Sequence, residues 1–424
     1  MQDCRKERRK GLHLSLSAIL PFCLSAILAA QQPGPALSKT DRDILTLMLR
    51  QIHEDVVKHY YDAGFHGVDL EASVRQAGQR LQTAATADDA LATLADLLIQ
   101  LDDSHTTFLP PNRRLRVNYG WQMAMVGGTP LVIAVDPGTD AAAKGIAPGD
   151  RVLMLNGLEP SRANLWRLAY FYRFIRPAAL QRISLLTPGG AARTIEVRSR
   201  TESRRNEFED LVYNARDVSE AVGADTLVWR MSVFANRERV EAMIGKARGY
   251  KTLILDLRGN GGGAVAALRA LVSGCFDREV LVATVRHRDK TEREVAKPAR
   301  RRFAGRLIVL VDSRSASAAE VFARVVQLEQ RGSVIGDRTA GAVMRSRVLP
   351  HKVGVVGVFY ATTITTGDVR MSDGTSLEKV GVEPDEILLP SPADLAAGRD
   401  PVLAGAIAMA GGSITPEQAG KLFR

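Results

Sequence analysis

The chain has 424 residues, of which 46% are hydrophobic and 25% are charged, the composition of a soluble protein with length for two or three domains. This excludes a disordered, collagen-like or multispanning membrane protein. The formal charge is +10, and the first ten residues hold five basic side chains against two acidic ones. Because the remaining surplus comes without aromatic interleaving or a nucleic-acid motif, it indicates a basic surface and not a nucleic-acid partner. With three cysteines in the whole chain, a disulfide framework and a cysteine-built zinc site are also excluded.

Residues 1–30 have the pattern of a targeting segment. A basic stretch up to Lys10 precedes a mostly apolar stretch that begins at Leu12 and ends in the small pair Ala29-Ala30. This pattern predicts a secretory signal peptide that is cleaved near Ala30, and therefore an exported protein, periplasmic or extracellular. The alternative is an uncleaved helix that anchors the chain. No other stretch is apolar enough to span a bilayer, so no stable membrane insertion is expected after cleavage.

The rest of the chain divides into three predicted domains. Residues 31–112 are helical, because apolar side chains recur at helical spacing there. Residues 113–200 are β-rich, with predicted strands at 124–126, 131–135, 151–157 and 183–186 and one helix near 163–174. Residues 201–424 alternate strands (227–231, 253–257, 307–311, 333–336) with helices (238–246, 265–272, 318–328), which predicts an α/β core.

A serine lies at a predicted strand-to-helix turn in this core. The apolar strand that starts at Arg306 leads into Ser315-Ala316-Ser317, and the following helix starts at Ala318. A hydroxyl in that place lies at a helix N-terminus, where backbone amides can stabilise an oxyanion. The structural alternative is a capping box formed by Ser317 and Glu320.

A glycine-rich turn, Gly259–Gly263, follows another predicted strand. Residues without side chains expose backbone amides there to an anion or an oxyanion. Gly259, Gly261 and Ala264 also satisfy a loose dinucleotide-binding pattern. The acidic residue that should end the next strand and bind a ribose is not found at that place, which weakens the nucleotide interpretation.

His105 lies where the helical domain ends. A lone histidine there is more often a helix-end residue than a catalytic one. A metal site built from Asp102, Asp103 and His105 is a further alternative, but neither paired histidines nor an HExxH-like spacing supplies more ligands. We therefore expect no metal and no cofactor.

Taken in order, these features resemble the C-terminal-processing and tricorn-like serine peptidases, the tail-specific proteases that carry a PDZ domain. The segments that carry the resemblance are 102–108, 256–263, 315–320, 334–341 and 373–385. The resemblance covers nearly all of the chain after the leader. It implies a crotonase-like βαβ sandwich as the α/β catalytic core, Ser317 as the nucleophile, and an oxyanion hole formed by the amides of Gly262 (or Gly261) and Ala318.

The middle domain resembles a PDZ domain. Residues 145–157 look like its characteristic turn and strand, and Tyr119, Gly120 and Trp121 look like the loop and edge strand that receive the C-terminal carboxylate of a peptide. The alternative is a purely structural β module.

The chain departs from the processing branch at the position of the base. That branch uses a lysine after the glycine that corresponds to Gly341, whereas this chain has Ala342. The tricorn-like branch uses a histidine preceded by serine, together with a glutamate near the C-terminus. The matching residues here are Ser104, His105 and Glu378, so the resemblance implies a Ser-His site in which Ser104 and Glu378 support His105.

We therefore expect an exported serine endopeptidase, or tail-specific protease, that hydrolyses protein or peptide substrates recognised through their C-termini. Two alternatives stay open: a catalytically silent member of the same fold that binds peptides or apolar ligands, and a PDZ-based scaffold. Because tricorn-like peptidases work in assemblies, the resemblance leaves an oligomer open. The basic run 286–306 is predicted to be a solvated hairpin rim.

Overall fold

The computed structural model describes residues 36–111, 115–203, 217–354 and 357–423. The predicted leader, residues 1–30, lies outside these ranges. Among the helices that are described, none combines the length and the apolarity needed to cross a membrane. Cys275 is a free thiol and is buried.

The N-terminal segment is helical, as the periodicity predicts. It comprises α1 (Lys39–His59), α2 (Leu70–Thr83) and α3 (Ala87–Ile99). Each helix begins at a polar side chain that accepts a backbone amide of the first turn, namely Ser38, Asp69 and Thr86. These caps explain where the helices start.

The following segment is β-rich and contains each strand and the helix predicted for it. Its elements are β1 (Thr107–Leu109), β2 (Leu115–Asn118), β3 (Trp121–Val126), β4 (Thr129–Val135), α4 (Asp140–Ala143), β5 (Arg151–Leu155), α5 (Leu165–Tyr170), β6 (Leu180–Leu186), β7 (Ala192–Arg198) and β8 (Arg200–Ser203). Strands β3 to β7 form an antiparallel sheet in sequence order around a hydrophobic cluster of their own. Strands β2 and β8 pair antiparallel, so the chain enters and leaves this module at one place.

The remaining segment alternates strands and helices. Its elements are β9 (Val218–Val222), β10 (Thr226–Arg230), α6 (Arg237–Ala247), β11 (Thr252–Asp256), α7 (Val265–Cys275), β12 (Val280–Arg286), β13 (Thr291–Ala296), β14 (Arg306–Val311), α8 (Ala318–Leu328), β15 (Gly332–Gly336), β16 (Met344–Val353), β17 (Val358–Arg370), β18 (Glu386–Ile387), α9 (Pro392–Ala397), α10 (Pro401–Met409) and α11 (Pro416–Ala419). One sheet has the order β18-β15-β14-β11-β10-β9, and its described pairs are parallel except the pair of β9 with β10.

Both faces of this sheet are covered by helices. Side chains alternate across a strand, so Leu253 and Leu255 of β11 pack with residues of α6, α7 and α8, whereas Ile254 packs on the other face with residues of α10. Continuous burial on both faces explains why these strands read as unbroken apolar runs. Because β11 and β14 are parallel neighbours, the turns that follow them emerge at the same edge of the sheet.

A second sheet was not predicted from the sequence. It has the order β1-β17-β12-β13, with β16 also pairing with β17, and β12 and β13 form a hairpin at the start of the basic run. Strand β17 is rich in threonine, and β16 interleaves charged and apolar residues, so neither shows a clear apolar pattern. Tyr360 and Ile364 of β17 share one hydrophobic cluster with α1 and α3. This sheet thus holds the end of the helical segment against the core.

Candidate active site

Ser317 lies at the turn between β14 and α8. Its φ of +56° is in the region that side chains other than glycine rarely adopt, which marks a locally strained turn. Its backbone amide donates to Glu320 Oε2 at 3.0 Å, the Glu320 half of the predicted capping box. Ser317 and Glu320 have the arrangement of the predicted capping box, although the Ser317 hydroxyl makes no side-chain cap hydrogen bond within the described residues. The hydroxyl therefore stays available for chemistry at the helix N-terminus.

The glycine-rich turn after β11 lies directly against this serine. A Cβ added at Gly262 would lie 2.6 Å from the Cβ of Ser317 and 3.0 Å from the amide nitrogen of Ala318. Gly262 also has a φ of +95°. Only a residue without a side chain can bring the two turns this close.

The backbone amides around Ser317 differ in whether they already donate a hydrogen bond within the protein. Gly262 N–H donates to Asn260 Oδ1 at 2.8 Å, so this predicted donor is engaged. Gly261 is exposed and lines the cavity that contains Ser317. Ala318 is the first residue of α8, and an amide at that position has no acceptor inside its helix. Of the three amides predicted to form an oxyanion hole, Gly262 is therefore the one that already donates to a side chain.

A buried carboxylate fixes the loop behind the nucleophile. Glu320 is fully buried and accepts hydrogen bonds from Thr339 Oγ1 at 2.6 Å, Gly341 N at 2.8 Å and Ala342 N at 2.9 Å. Burial raises the pKa of Glu320 to about 7 against the lowering effect of these donors. The carboxylate thus joins α8 to the 339–342 loop, a role that the capping-box interpretation only partly anticipated.

Ser104, His105 and Glu378 lie together although Glu378 is far away in the sequence. Ser104 Oγ donates to Glu378 Oε2 at 2.8 Å and lies 2.7 Å from His105 Nδ1. A hydroxyl that donates its proton to a carboxylate can only accept from the imidazole, so Nδ1 carries the proton. In the neutral ring this leaves Nε2 as the basic nitrogen. Glu378 also accepts the Ser104 and Val343 amides at 2.8 Å each, which fixes its position.

Two opposing effects act on the pKa of His105. Burial lowers it, and the nearby negative charge of Asp103 raises it, with burial the larger effect. Asp103 is buried and accepts the amides of His105 at 2.9 Å and Thr106 at 2.8 Å, together with the Thr365 hydroxyl at 2.6 Å. It therefore positions the loop that carries the histidine. Sequence reasoning considered Asp103 only as a metal ligand.

His105 and Ser317 line the same cavity, which has a volume of about 270 Å³. The fold joins them because β1, which follows the histidine loop, pairs with β17. The described residues that line this cavity include no lysine. Ala342 lines a larger neighbouring cavity, and its carbonyl accepts the Ser317 amide at 2.9 Å.

That larger cavity has a volume of about 960 Å³ and lies between the β-rich module and the loops around Ser104 and Glu378. Strand β3 is at the edge of its sheet, and Trp121, Met123 and Met125 of this strand line the cavity. An edge strand that borders a cavity offers unpaired backbone groups to an extended peptide.

Tyr119 and Gly120, which were predicted together with Trp121 to bind a peptide, both make hydrogen bonds within the protein. Tyr119 Oη donates to the carbonyl of Ala178 at 3.0 Å, and the Gly120 amide donates to Asn118 Oδ1 at 2.8 Å. A Cβ at Gly120 would lie 2.5 Å from the Cβ of Thr139, so only glycine fits there. The amide predicted to receive a carboxylate at Gly120 is therefore engaged in this structure.

No three potential metal-ligating side chains gather anywhere in the described part of the chain. Asp102, considered as a ligand from the sequence, forms ion pairs with Arg167 and Lys379. These pairs link the end of the helical segment to α5 and to the segment that carries Glu378.

Comparison with known proteins finds a family match for part of the chain. Residues 225–388 match peptidase family S41. The chain is 26% identical over 326 residues to the carboxyl-terminal-processing protease of a Picosynechococcus species, which covers 72% of this chain and 75% of that protein. It is 28% identical over 297 residues to the tail-specific protease of Haemophilus influenzae, covering 64% of this chain and 41% of that protein.

The fold matches as well. The crystal structure of mature CPAF superposes with a TM-score of 0.64 at 15% identity, covering 84% of this chain and 94% of that one. Identity at this level shows the shared fold alone. The chain therefore shares its α/β, sheet-rich fold with mature CPAF.

Proposed function

We propose that this chain, whose residues 225–388 match peptidase family S41, hydrolyses peptide bonds with Ser317 as nucleophile and His105 as general base. The observation that carries this proposal is the hydrogen-bonded series from Glu378 through Ser104 to His105 Nδ1. This series leaves His105 Nε2 unprotonated, in the cavity that also contains Ser317. A nucleophile and a base that is itself oriented by a third group are what acyl transfer needs.

The reaction would proceed in two halves. Ser317 Oγ attacks the scissile carbonyl while His105 Nε2 takes its proton, and the amides of Gly261 and Ala318 stabilise the oxyanion. His105 then returns the proton to the leaving amine as the C–N bond breaks. Water, deprotonated by the same nitrogen, attacks the acyl-enzyme, and His105 returns this proton to Ser317 Oγ as the ester C–O bond breaks and the acid leaves. Ser104 and Glu378 stabilise the imidazolium that forms in each half.

The β-rich module is proposed to act as a PDZ-like peptide-binding domain that spans residues 113–200. The free edge of β3 and the apolar side chains of Trp121 and Met123 support this role. Because Gly120 N–H is engaged by Asn118, binding a terminal carboxylate at this amide requires the Asn118 side chain to turn away. A crotonase-like core over residues 201–424 and a helical domain over residues 31–112 complete the proposed organisation.

Export is proposed from the leader pattern of residues 1–30. Cleavage near Ala30 would release the peptidase into the periplasm or the medium, whereas an uncleaved leader would keep it membrane-anchored. N-terminal sequencing of protein recovered from outside the cytoplasm distinguishes the two outcomes.

The decisive experiment is covalent labelling with a serine-reactive fluorophosphonate. The full chain should be labelled at Ser317, and Ser317→Ala should lose both the label and peptide hydrolysis. Ser313→Ala is the matched control, because it removes a neighbouring hydroxyl that hydrogen-bonds the carbonyl of Met125. A protein that binds peptides but takes no label would instead be a silent member of the fold.

A further inference from the structure

The segment between β13 and β14 presents a run of exposed positive charge. We call residues 297–302 the basic loop, because four of these six residues are basic and exposed: Lys297, Arg300, Arg301 and Arg302. No acidic residue occurs between Glu294 and Asp312 to neutralise them. Within the described ranges, none of the four basic side chains forms a hydrogen bond or an ion pair with the protein.

The backbone of the basic loop is fixed although its basic side chains are not. The Ala299 amide donates to the carbonyl of Ser273 at 2.8 Å, and the amide of Phe303, just after the loop, donates to the carbonyl of Gly274 at 2.7 Å. The Phe303 side chain is buried. Because the backbone is already ordered, a ligand of the loop would pay little backbone entropy on binding.

Capping of a helix does not account for these four cations. Basic side chains near a helix C-terminus often bind its last carbonyls. The carbonyls of residues 272–275, the last four of α7, have other donors, namely the amides of Phe276, Ala299 and Phe303 and the side chain of Arg331. The positive charge of the basic loop is therefore left to face solvent.

The basic loop is also separate from the candidate active site. It precedes the first residue of β14, whereas Ser317 follows the last. This six-residue strand spans roughly 20 Å. None of the residues that line the two cavities described above belongs to the loop. A peptide held at Ser317 therefore has no need to contact the loop.

We propose that the basic loop docks this protein on an anionic lipid surface. Clustered lysines and arginines attract negatively charged headgroups, and a guanidinium matches a phosphate with two parallel N–H donors. A nucleic acid fits less well, because the loop has no aromatic residue on which a base could stack. The loop also has no large apolar residue, so the docking is electrostatic and peripheral. The inference does not depend on the proposed function.

The test is sedimentation of the protein with lipid vesicles, made of phosphatidylcholine alone or with about one third phosphatidylglycerol. We expect the wild type to bind the anionic vesicles at least about tenfold more tightly, and about 0.5 M salt to release it. The loop variant should lose at least about tenfold of this binding. It combines Lys297→Gln, Arg300→Gln, Arg301→Gln and Arg302→Gln.

A matched control separates the basic loop from the net charge of the protein. It removes four exposed cations from α1 and α2, and combines Lys39→Gln, Arg50→Gln, Lys58→Gln and Arg75→Gln. Its binding should stay within about twofold of the wild type, because charges beyond the Debye length are screened. All variants share one N-terminus, so any contribution of residues 1–30 is the same in each.

Circular dichroism shows whether the loop variant is folded. If it is not, the pair Arg300→Gln with Arg302→Gln replaces it, with an expected loss of at least about threefold. Hydrolysis of a soluble peptide should be unchanged in the folded variant, because the loop lies at the other end of β14 from Ser317. Lost hydrolysis would contradict the separation of the two sites.

The outcomes distinguish the possible partners. Equal binding of the wild type to both kinds of vesicle overturns the inference, and so does an equal loss in the loop variant and the control. Binding to poly-glutamate without binding to the anionic vesicles overturns the lipid partner in favour of an acidic protein. A chain that docks through the basic loop but takes no fluorophosphonate label overturns the proposed function and leaves this inference intact.

Discussion

Glu378 accepts both the backbone amide and the hydroxyl of Ser104 at 2.8 Å, although the two residues are 274 positions apart. The contact joins the loop that follows α3 to a loop near the C-terminus. It also sets the direction of the Ser104 hydroxyl, and through that hydroxyl the tautomer of His105. A hydrogen bond between two loops that are remote in sequence thereby orients the imidazole that is proposed as the base.

Ser317→Ala and His105→Ala should each abolish peptidase activity and leave the fold intact. The two groups act as one unit, so the double variant should be about as slow as either single variant. Steady-state rates and circular dichroism of all three proteins check this expectation. A double variant far slower than both singles would argue against the shared unit.

Glu378→Gln should reduce kcat less than His105→Ala does, because an orienting acceptor assists a base that can still act without it. We expect a loss on the order of tenfold to a hundredfold, with KM little changed. Glu383→Gln is the matched control: the backbone carbonyl of Glu383 accepts a hydrogen bond from Gln327, and its side chain makes none within the described ranges. Full activity in Glu378→Gln would remove this residue from the site.

The rate should rise with pH as His105 loses its proton. Because burial lowers the pKa of His105, the midpoint of kcat/KM should fall below the value of about 6.5 for an unperturbed histidine. Asp103 raises this pKa by its charge, so Asp103→Asn should move the midpoint to still lower pH. A profile measured from about pH 4 to 9 decides this. A midpoint in the alkaline range would exclude histidine as the base.

Ala342→Lys should not rescue His105→Ala. Residue 342 lines the larger cavity together with Asp103 and Glu378, and nearby carboxylates favour the charged form of a lysine, which cannot act as a base. Peptide hydrolysis by the double variant is the readout. Recovery to wild-type rates would show that the site works as a Ser-Lys pair, and the assignment of His105 would be wrong.

Gly262→Ala should inactivate the peptidase, because the new Cβ would lie 2.6 Å from the Cβ of Ser317 at a backbone position with φ of +95°. Gly245→Ala is the control: a Cβ there meets no atom within 4 Å, and the residue lies inside α6. The control should keep its activity and gain up to about 1 kcal/mol in helix stability. Activity assays and thermal melts of both variants test the expectation.

Much of the fold could be read from hydrophobic patterns. Strands β10, β11, β14 and β15 are buried on both faces and appear as continuous apolar runs, and the helices between them keep a clear apolar side. The second sheet escaped prediction because threonines fill β17, with Thr362 and Thr365 fully buried. The Thr365 hydroxyl donates to Asp103 and accepts from the Thr106 hydroxyl, and the Thr362 hydroxyl donates to Asp55. Polar contacts of this kind cannot be predicted from a pattern of hydrophobic residues.

The sequence by itself determined which residue types are present, that a serine opens a helix, that a glycine-rich turn follows another strand, and that position 342 holds an alanine. Only the tertiary structure decided how these parts meet. In the folded chain, Gly262 N–H donates to Asn260 Oδ1, Gly261 is exposed, and His105 lines the cavity that contains Ser317. The physical reason is that local propensities act over a few residues, whereas a catalytic contact depends on how two sheets pack and which loops their edges bring together.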